Sequence, residues 1–396
     1  MDEKLNSALP PRVGHLKSGM GEQGIDVVIS FKPENSFYLS GFNPIIYSKP
    51  IIAIITRNHD PILLVHALRD EHARDSSWVQ DIRFFGVWGT RETLAPTWQE
   101  ALVSVLATLG LAGQTIGIEE GFITIQRSRE LQQILPDAKF IDSSSLIERC
   151  RMVKDPDEIE NSRIACKIAD VGMEAAIAAL ARGGTERDAT VASMHEMNKF
   201  WAETYKDVEV CGFGSLEGGL HNGLSTWVLA GQHKFHSCDN PTTYKPQPGD
   251  TVAVYIWTVA NGMHAEVERI VCIGQVADVD KKAIEAILKI RAEIDPLIKP
   301  GTPIKELYNA TRKCFETHGY GADMPGRIGH SIGLGAHEAL SIGGSSEVVL
   351  EPGMIITIEP NIEIVGVCAT QISDTVLITE TGREYLTCAS PGYLQV

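Results

Sequence analysis

The stretch GDTVAVYIWTVANGMHAEVERIVCIG, residues 249–274, constrains the fold of this chain more than any other. β-Branched alternation runs to Thr258, Asn261-Gly262 supplies a turn, and a second alternating strand follows. With the turn centred on Ala260-Asn261, Tyr255 is expected opposite Glu266, Trp257 opposite His264 and Ala253 opposite Glu268. Side chains alternate across a strand, so one face carries Tyr255, Trp257, His264, Glu266 and Glu268. The opposite face is apolar. Two carboxylates two residues apart repel each other unless something uses them, so this face is a candidate site.

The rest of the chain divides near residue 150. Before it, short apolar strands (DVVISF, PIIAIIT, PILLVH, TIGIEE) alternate with helical stretches such as TWQEALVSVLATLG, whose Gly110 is a helix stop. That is an α/β pattern. At Asp155-Pro156 a long amphipathic helix begins, and Gly183-Gly184 ends it. From about residue 205 the chain is rich in strands and turns, with further helices near 281–294 and 303–318. The expectation is an α/β N-terminal domain over 1–150 followed by an α+β domain over 151–396.

Composition narrows the partners. A net charge of −16 disfavours nucleic acid and acidic membranes. The longest apolar runs are strand-sized and far short of a membrane span. The start MDEKLNSALPP has no basic-then-apolar pattern of a secretory signal, and the eight cysteines form no CxxC pairs. Both point to a cytoplasmic protein with reduced thiols.

GHSIGLGAHE, residues 329–338, places His330 and His337 seven apart among glycines. Taken in order, RMVKDPDEIENSRIACKIADVGMEAA, the hairpin, GRIGHSIGLGAHE, LEPGMIITIEPNI and QISDTVLITETG resemble the catalytic domain of the creatinase, prolidase and methionine aminopeptidase (M24) family. This is the pita-bread fold. The N-terminal half is similar to the smaller domain of creatinase and prolidase. The family's peptidases hold two metal ions with two Asp, one His and two Glu, a set that hard divalent ions prefer. The resemblance places those ligands at Tyr255, Glu266, His330, Glu359 and Ser373. A phenol and a serine cannot hold the second ion.

The resemblance is therefore closest to the metal-free creatinase-like branch, with no cofactor, through Glu268-Arg269 in VERI, His330 in GHS and Glu359 in IEP. It implies a metal-independent hydrolase that cleaves a C–N bond in a small charged amidine, guanidino compound or cyclic amide. Glu359, Glu268 and His330 are its catalytic groups, with His264, His337, Tyr255 and Glu266 lining the pocket. The branch's acid/base histidine falls at Cys238 by spacing, with His236 two residues earlier as the other candidate. In SGFNPIIYSKP, Tyr47 and Lys49 take the places of residues that reach a neighbouring subunit's site, which implies a homodimer with shared active sites. Two alternatives stay open: a peptidase of the Xaa-Pro dipeptidase kind with one ion on Glu266, His330 and Glu359, and a pita-bread binding protein without catalysis.

Overall fold

The computed structural model describes residues 9–213 and 221–396. Two compact units form, one running to Arg151 and the other comprising Met152–Cys211 and Asn222–Val396.

The first unit is built on a six-stranded mixed sheet of β1 (Val27–Ser30), β2 (Ile52–Thr56), β3 (Ile62–His66), β4 (Asp81–Phe85), β5 (Thr115–Ile118) and β6 (Lys139–Asp142), in the order β4-β3-β2-β1-β5-β6. The central strands β1 and β2 are buried along their whole length, as continuous Val/Ile runs with both faces covered must be. Trp98, Ala101, Leu102 and Val105 of the helix Trp98–Thr108 pack on one face. That helix is capped by Thr97 Oγ1 and stopped by Gly110 at φ +70°. This is the expected α/β domain.

The second unit carries β7 (Ser225–Ala230), β8 (Thr251–Ala260), β9 (Met263–Cys272), β10 (Arg327–His330), β11 (Ser341–Gly343), β12 (Ile355–Ile358), β13 (Asn361–Ile364), β14 (Cys368–Gln371), β15 (Ser373–Ile378), β16 (Arg383–Tyr385) and β17 (Leu394–Gln395). The main sheet runs β12-β15-β9-β8-β7, with β16 on β15 and β17 on β9. The helix Pro156–Ala181 starts where Asp155 and Glu158 form a reciprocal capping box around Pro156. It packs with the helix Glu186–Thr204 against Val252, Val254, Ile256, Val267 and Val271, the apolar face of β8 and β9. The other face of the hairpin is thereby left to the polar residues.

The register of that hairpin differs from the sequence expectation by two residues. Ala260 pairs with Met263, so Tyr255 stands opposite Glu268, Trp257 opposite Glu266 and Val259 opposite His264. The turn is Asn261-Gly262, with φ +46° and +84°. A two-residue hairpin loop of this hand needs positive φ at both central positions, which Asn and Gly accept and Ala260 would resist. A slip of two preserves the faces, so the same five side chains still share one side.

Candidate active site

Four separate segments converge on the polar face of β9. Glu266 and Glu268 stand on β9 itself, and Ser373 is paired to Glu268 across the β9–β15 ladder. His330 ends β10, and Glu359 follows β12. Their meeting depends on a close crossing of main chains. A Cβ on Gly329 would lie 2.1 Å from the Thr357 carbonyl oxygen, so only glycine fits before the histidine. The His330 N–H donates to Thr357 Oγ1 at 3.1 Å, and its Nδ1 lies 3.0 Å from the Ser331 carbonyl.

Glu266, Glu268, His330 and Glu359 are all buried. Nε2 of His330 lies 3.4 Å from Glu266 and 3.8 Å from Glu359, and it has no hydrogen-bond partner among the described residues. One ligand atom from each of Glu266, His330 and Glu359 falls within 4.8 Å of the others, so this trio can hold a cation. The Ser373 hydroxyl donates to Glu266 at 2.5 Å, and Gln371 Nε2 donates to Glu268 at 2.5 Å.

Crowding divides the carboxyls by environment. Burial drives Glu266 upward, but the His330 imidazole and the Ser373 hydroxyl outweigh it and hold Glu266 below the usual range. Burial pushes Glu268 well up, and the charges of Glu266 and Glu359 push it further, against the hydrogen bond from Gln371. Burial and the Glu266 charge bring Glu359 to about 7. His330 is raised, because the surrounding carboxylates outweigh its burial. Burial lowers His337, and the neighbouring His330 lowers it further. Tyr255 is raised, first by burial and then by Glu268, and so stays a phenol.

An aromatic wall closes one side. The Trp227 ring stacks at 6.2 Å on Tyr255 and meets Trp257 edge-on at 5.4 Å. Trp257 contacts His337 at 5.1 Å, and His337 lies 4.2 Å from His330. The indole N–H groups of Trp227 and Trp257 are buried without a partner among the described residues. His264 is engaged through Nδ1 with the Gly333 carbonyl at 2.9 Å.

Beneath the pocket lies a charged brace. Asp374 accepts from Arg269 Nη2 at 2.6 Å and from Thr387 at 2.7 Å, and it also pairs with Arg291. Arg269 Nη1 donates to the carbonyls of Glu268 (2.8 Å) and Ser373 (2.7 Å), while Arg291 Nη1 donates to that of Ile372 at 2.8 Å. The ion cluster thus fixes the backbone on which the site groups stand.

The structure separates the two candidates of the 236–238 loop. Cys238 is within electrostatic reach of Tyr255 and Glu268, whereas the His236 ring turns to Asp239 at 3.0 Å. Ser237, with φ +57°, redirects the chain between them. His236 is therefore not brought to the acidic pocket. Tyr47 and Lys49 belong to the first unit. Tyr47 is buried with its hydroxyl on Asn43 Oδ1 at 3.1 Å, which spends the phenol internally, while Lys49 is exposed. Sequence reasoning missed Trp227, Gln371 and Arg327. Trp227 lies in an unremarkable strand, Gln371 reaches Glu268 through strand pairing, and Arg327 Nε lies 3.5 Å from Glu359.

Comparison with known proteins places the site in a context. Residues 160–380 match the model of Metallopeptidase family M24, and residues 12–153 match the Creatinase/Prolidase N-terminal domain. The chain is 28% identical to a Xaa-Pro dipeptidase of Pyrococcus furiosus over 377 residues, covering 95% of this chain and 97% of the other. It is 26% identical over 376 residues to a putative dipeptidase of Bacillus subtilis, with 95% and 97% covered. Among solved structures, the Xaa-Pro dipeptidase from Bacillus anthracis superposes with a TM-score of 0.81 at 23% identity, covering 98% of this chain and 99% of that one. The two-domain fold is thereby shown. These relatives are named as dipeptidases, and they overturn the expectation of a metal-independent, creatinase-like amidinohydrolase. Among the described residues, no helix is long and apolar enough to cross a membrane.

Proposed function

Because this chain belongs to Metallopeptidase family M24, we propose that it is a peptidase-type hydrolase that opens the amide bond of a short peptide, with one divalent ion held by Glu266, His330 and Glu359. Xaa-Pro dipeptides are the first substrate class, by analogy with its relatives. The observation that carries this reading is the convergence of those three ligand atoms within 4.8 Å, with a buried imidazole nitrogen that faces both carboxylates and has no hydrogen-bond partner among the described residues. Two carboxylates and one imidazole suit a divalent ion such as Mn²⁺, Co²⁺ or Zn²⁺. Two ions do not fit, because Tyr255 remains a phenol and Ser373 is a neutral hydroxyl donating to Glu266.

When bound, the ion would polarise the scissile carbonyl and lower the pKa of a water molecule. The chain's own groups do the rest. Glu268, held by Gln371 and pushed toward its protonated form by burial and its acidic neighbours, faces the pocket as a group that can exchange a proton with the substrate. Neutral His337 can accept from or donate to the peptide amide. The indoles of Trp227 and Trp257 give an apolar wall with two free N–H donors, which suits a small ring or side chain ending in a carbonyl. The exposed Arg327 beside Glu359 offers a cation for a peptide carboxylate.

The test is hydrolysis of a panel of Xaa-Pro and ordinary dipeptides by the whole chain with Mn²⁺, Co²⁺ or Zn²⁺, together with metal analysis. The expected result is turnover that chelation abolishes and an ion that Glu266→Gln removes. If peptides bind but none is cut with any ion, the chain is a binding protein. The replaced ligand positions at Tyr255 and Ser373 favour that second reading.

A further inference from the structure

Away from the acidic pocket, His233, His236 and Asp239 also converge, with one ligand atom from each lying within 4.8 Å of the others. They stand three residues apart at the end of the short helical segment Gly231–His236 and just beyond it. Asp239 Oδ2 lies 3.0 Å from His236 Nδ1 and 3.3 Å from His233 Nε2. Two ligands on metal bonds of about 2.0–2.1 Å at a tetrahedral angle stand about 3.3 Å apart. The observed spacing is close to that.

A second observation fixes which atoms are free to bind. His233 Nδ1 lies 2.9 and 3.0 Å from the two oxygens of Glu186, whose side chain is fully buried. Glu186 also accepts from the Ala230 N–H, the Thr242 N–H and the Thr242 hydroxyl. A carboxylate surrounded by that many donors is an anion, and Nδ1 must present its proton to it. Nε2 of His233 faces a carboxylate oxygen of Asp239, as the donor of an imidazolium or as the lone pair of a neutral ring. Two acceptors do not rest at 3.3 Å unless a proton or a cation lies between them. A buried carboxylate that orients an imidazole in this way is the arrangement found behind metal-bound histidines.

The geometry points to a separate cation site in which His233 Nε2, His236 Nδ1 and Asp239 Oδ2 bind one Zn²⁺-class ion, with water completing the coordination. Two imidazoles and one carboxylate select zinc or a neighbouring transition ion over Mg²⁺ or Ca²⁺. The site shares no residue with the acidic pocket. Its consequence reaches that pocket through the chain, because Cys238 lies between two of the ligands and is within electrostatic reach of Tyr255 and Glu268. An ion there would clasp the segment that presents Cys238.

Zinc binding to the whole chain by competition with a chromogenic chelator, with Co²⁺ absorption as a second readout, tests this. His236 is exposed, so His236→Ala leaves the fold intact, which thermal melting verifies. The expected result is one Zn²⁺ equivalent fewer in His236→Ala than in the wild type. The same equivalent is retained in His330→Ala and is bound roughly tenfold more weakly in Glu186→Gln. Tetrahedral Co²⁺ bands should disappear with His236 and persist without His330. Zinc stoichiometry unchanged by both His236→Ala and Asp239→Asn overturns the proposal, as does a trio that takes up only protons. Either result leaves the peptidase reading untouched, since that rests on Glu266, His330 and Glu359.

Discussion

Tyr255 stands directly opposite Glu268 across the β8–β9 ladder, at the position where the family resemblance implies an aspartate in the two-metal peptidases. On the other side of the cluster the Ser373 hydroxyl donates to Glu266, where the same resemblance implies a glutamate bridging both metals. The two departures stand on β8 and β15, the strands that flank β9 on either side. Tyr255→Asp combined with Ser373→Glu should raise the manganese content of the pocket from one ion to two. Each single change should leave it at one. Metal analysis after gel filtration reads the outcome, with His236→Ala as background so that the loop site does not contribute.

Asp374 bridges Arg269 and Arg291, and all three are buried. Asp374→Asn keeps the shape and removes the carboxylate with which both buried guanidiniums pair. Breaking a buried pair from one side costs about 3–5 kcal/mol. A unit of this size loses about 2–4 °C of Tm per kcal/mol, so calorimetry should show a fall on the order of 10 °C. Conservative replacement of Thr387 by Ser, which keeps its hydroxyl on Asp374, should change Tm little.

The hairpin shows how far the sequence could be read. Alternation and the Asn261-Gly262 pair identify both strands and the polar face, because those signals are local. Register depends on which two residues take positive φ, and an assumed turn one residue earlier displaces every partner by two. The helix start at Asp155-Pro156 was legible because capping chemistry is confined to four residues. Gln371 and Trp227 were not, since their roles arise from pairing between distant strands. The branch of the family was misread for a different reason. Loss of two ligand types argues against two ions but does not choose between one ion and none, because Glu266, His330 and Glu359 are present in either case.

Asp142 gives a prediction on pH in the first unit. Burial pushes its carboxyl up, but hydrogen bonds from the Ser144 hydroxyl, the Ser144 N–H and the Glu120 N–H outweigh this and hold it below its ordinary 3.8. A depressed carboxyl stabilises the fold above the unfolded value and loses that contribution as pH falls through the folded value. Asp142→Asn should therefore be less stable than the wild type at pH 7. The gap should close below pH 3.8, as thermal melts at both pH values would show.

Lys49 is exposed, and the family resemblance assigns it to a neighbouring subunit's site. The expected outcome is a dimer by sedimentation in which Lys49→Ala raises KM for an anionic or zwitterionic substrate more than it lowers kcat. Mixed Lys49→Ala and Glu359→Gln subunits should recover activity that the Glu359→Gln parent lacks. A monomer, or inactive mixtures, would make Lys49 a surface charge only.

The contact between Gly329 and Thr357 is made by main chain alone. It brings His330 to the carboxylates by proximity of backbones, and nothing in it depends on which groups face the cavity. A scaffold secured this way can exchange the lining of its pocket, acid for phenol or acid for hydroxyl, without displacing the histidine. The chemistry of such a protein can drift in single steps while its shape is inherited intact. An alanine at position 329 would force its strand away from Thr357 and carry His330 away from the carboxylates with it.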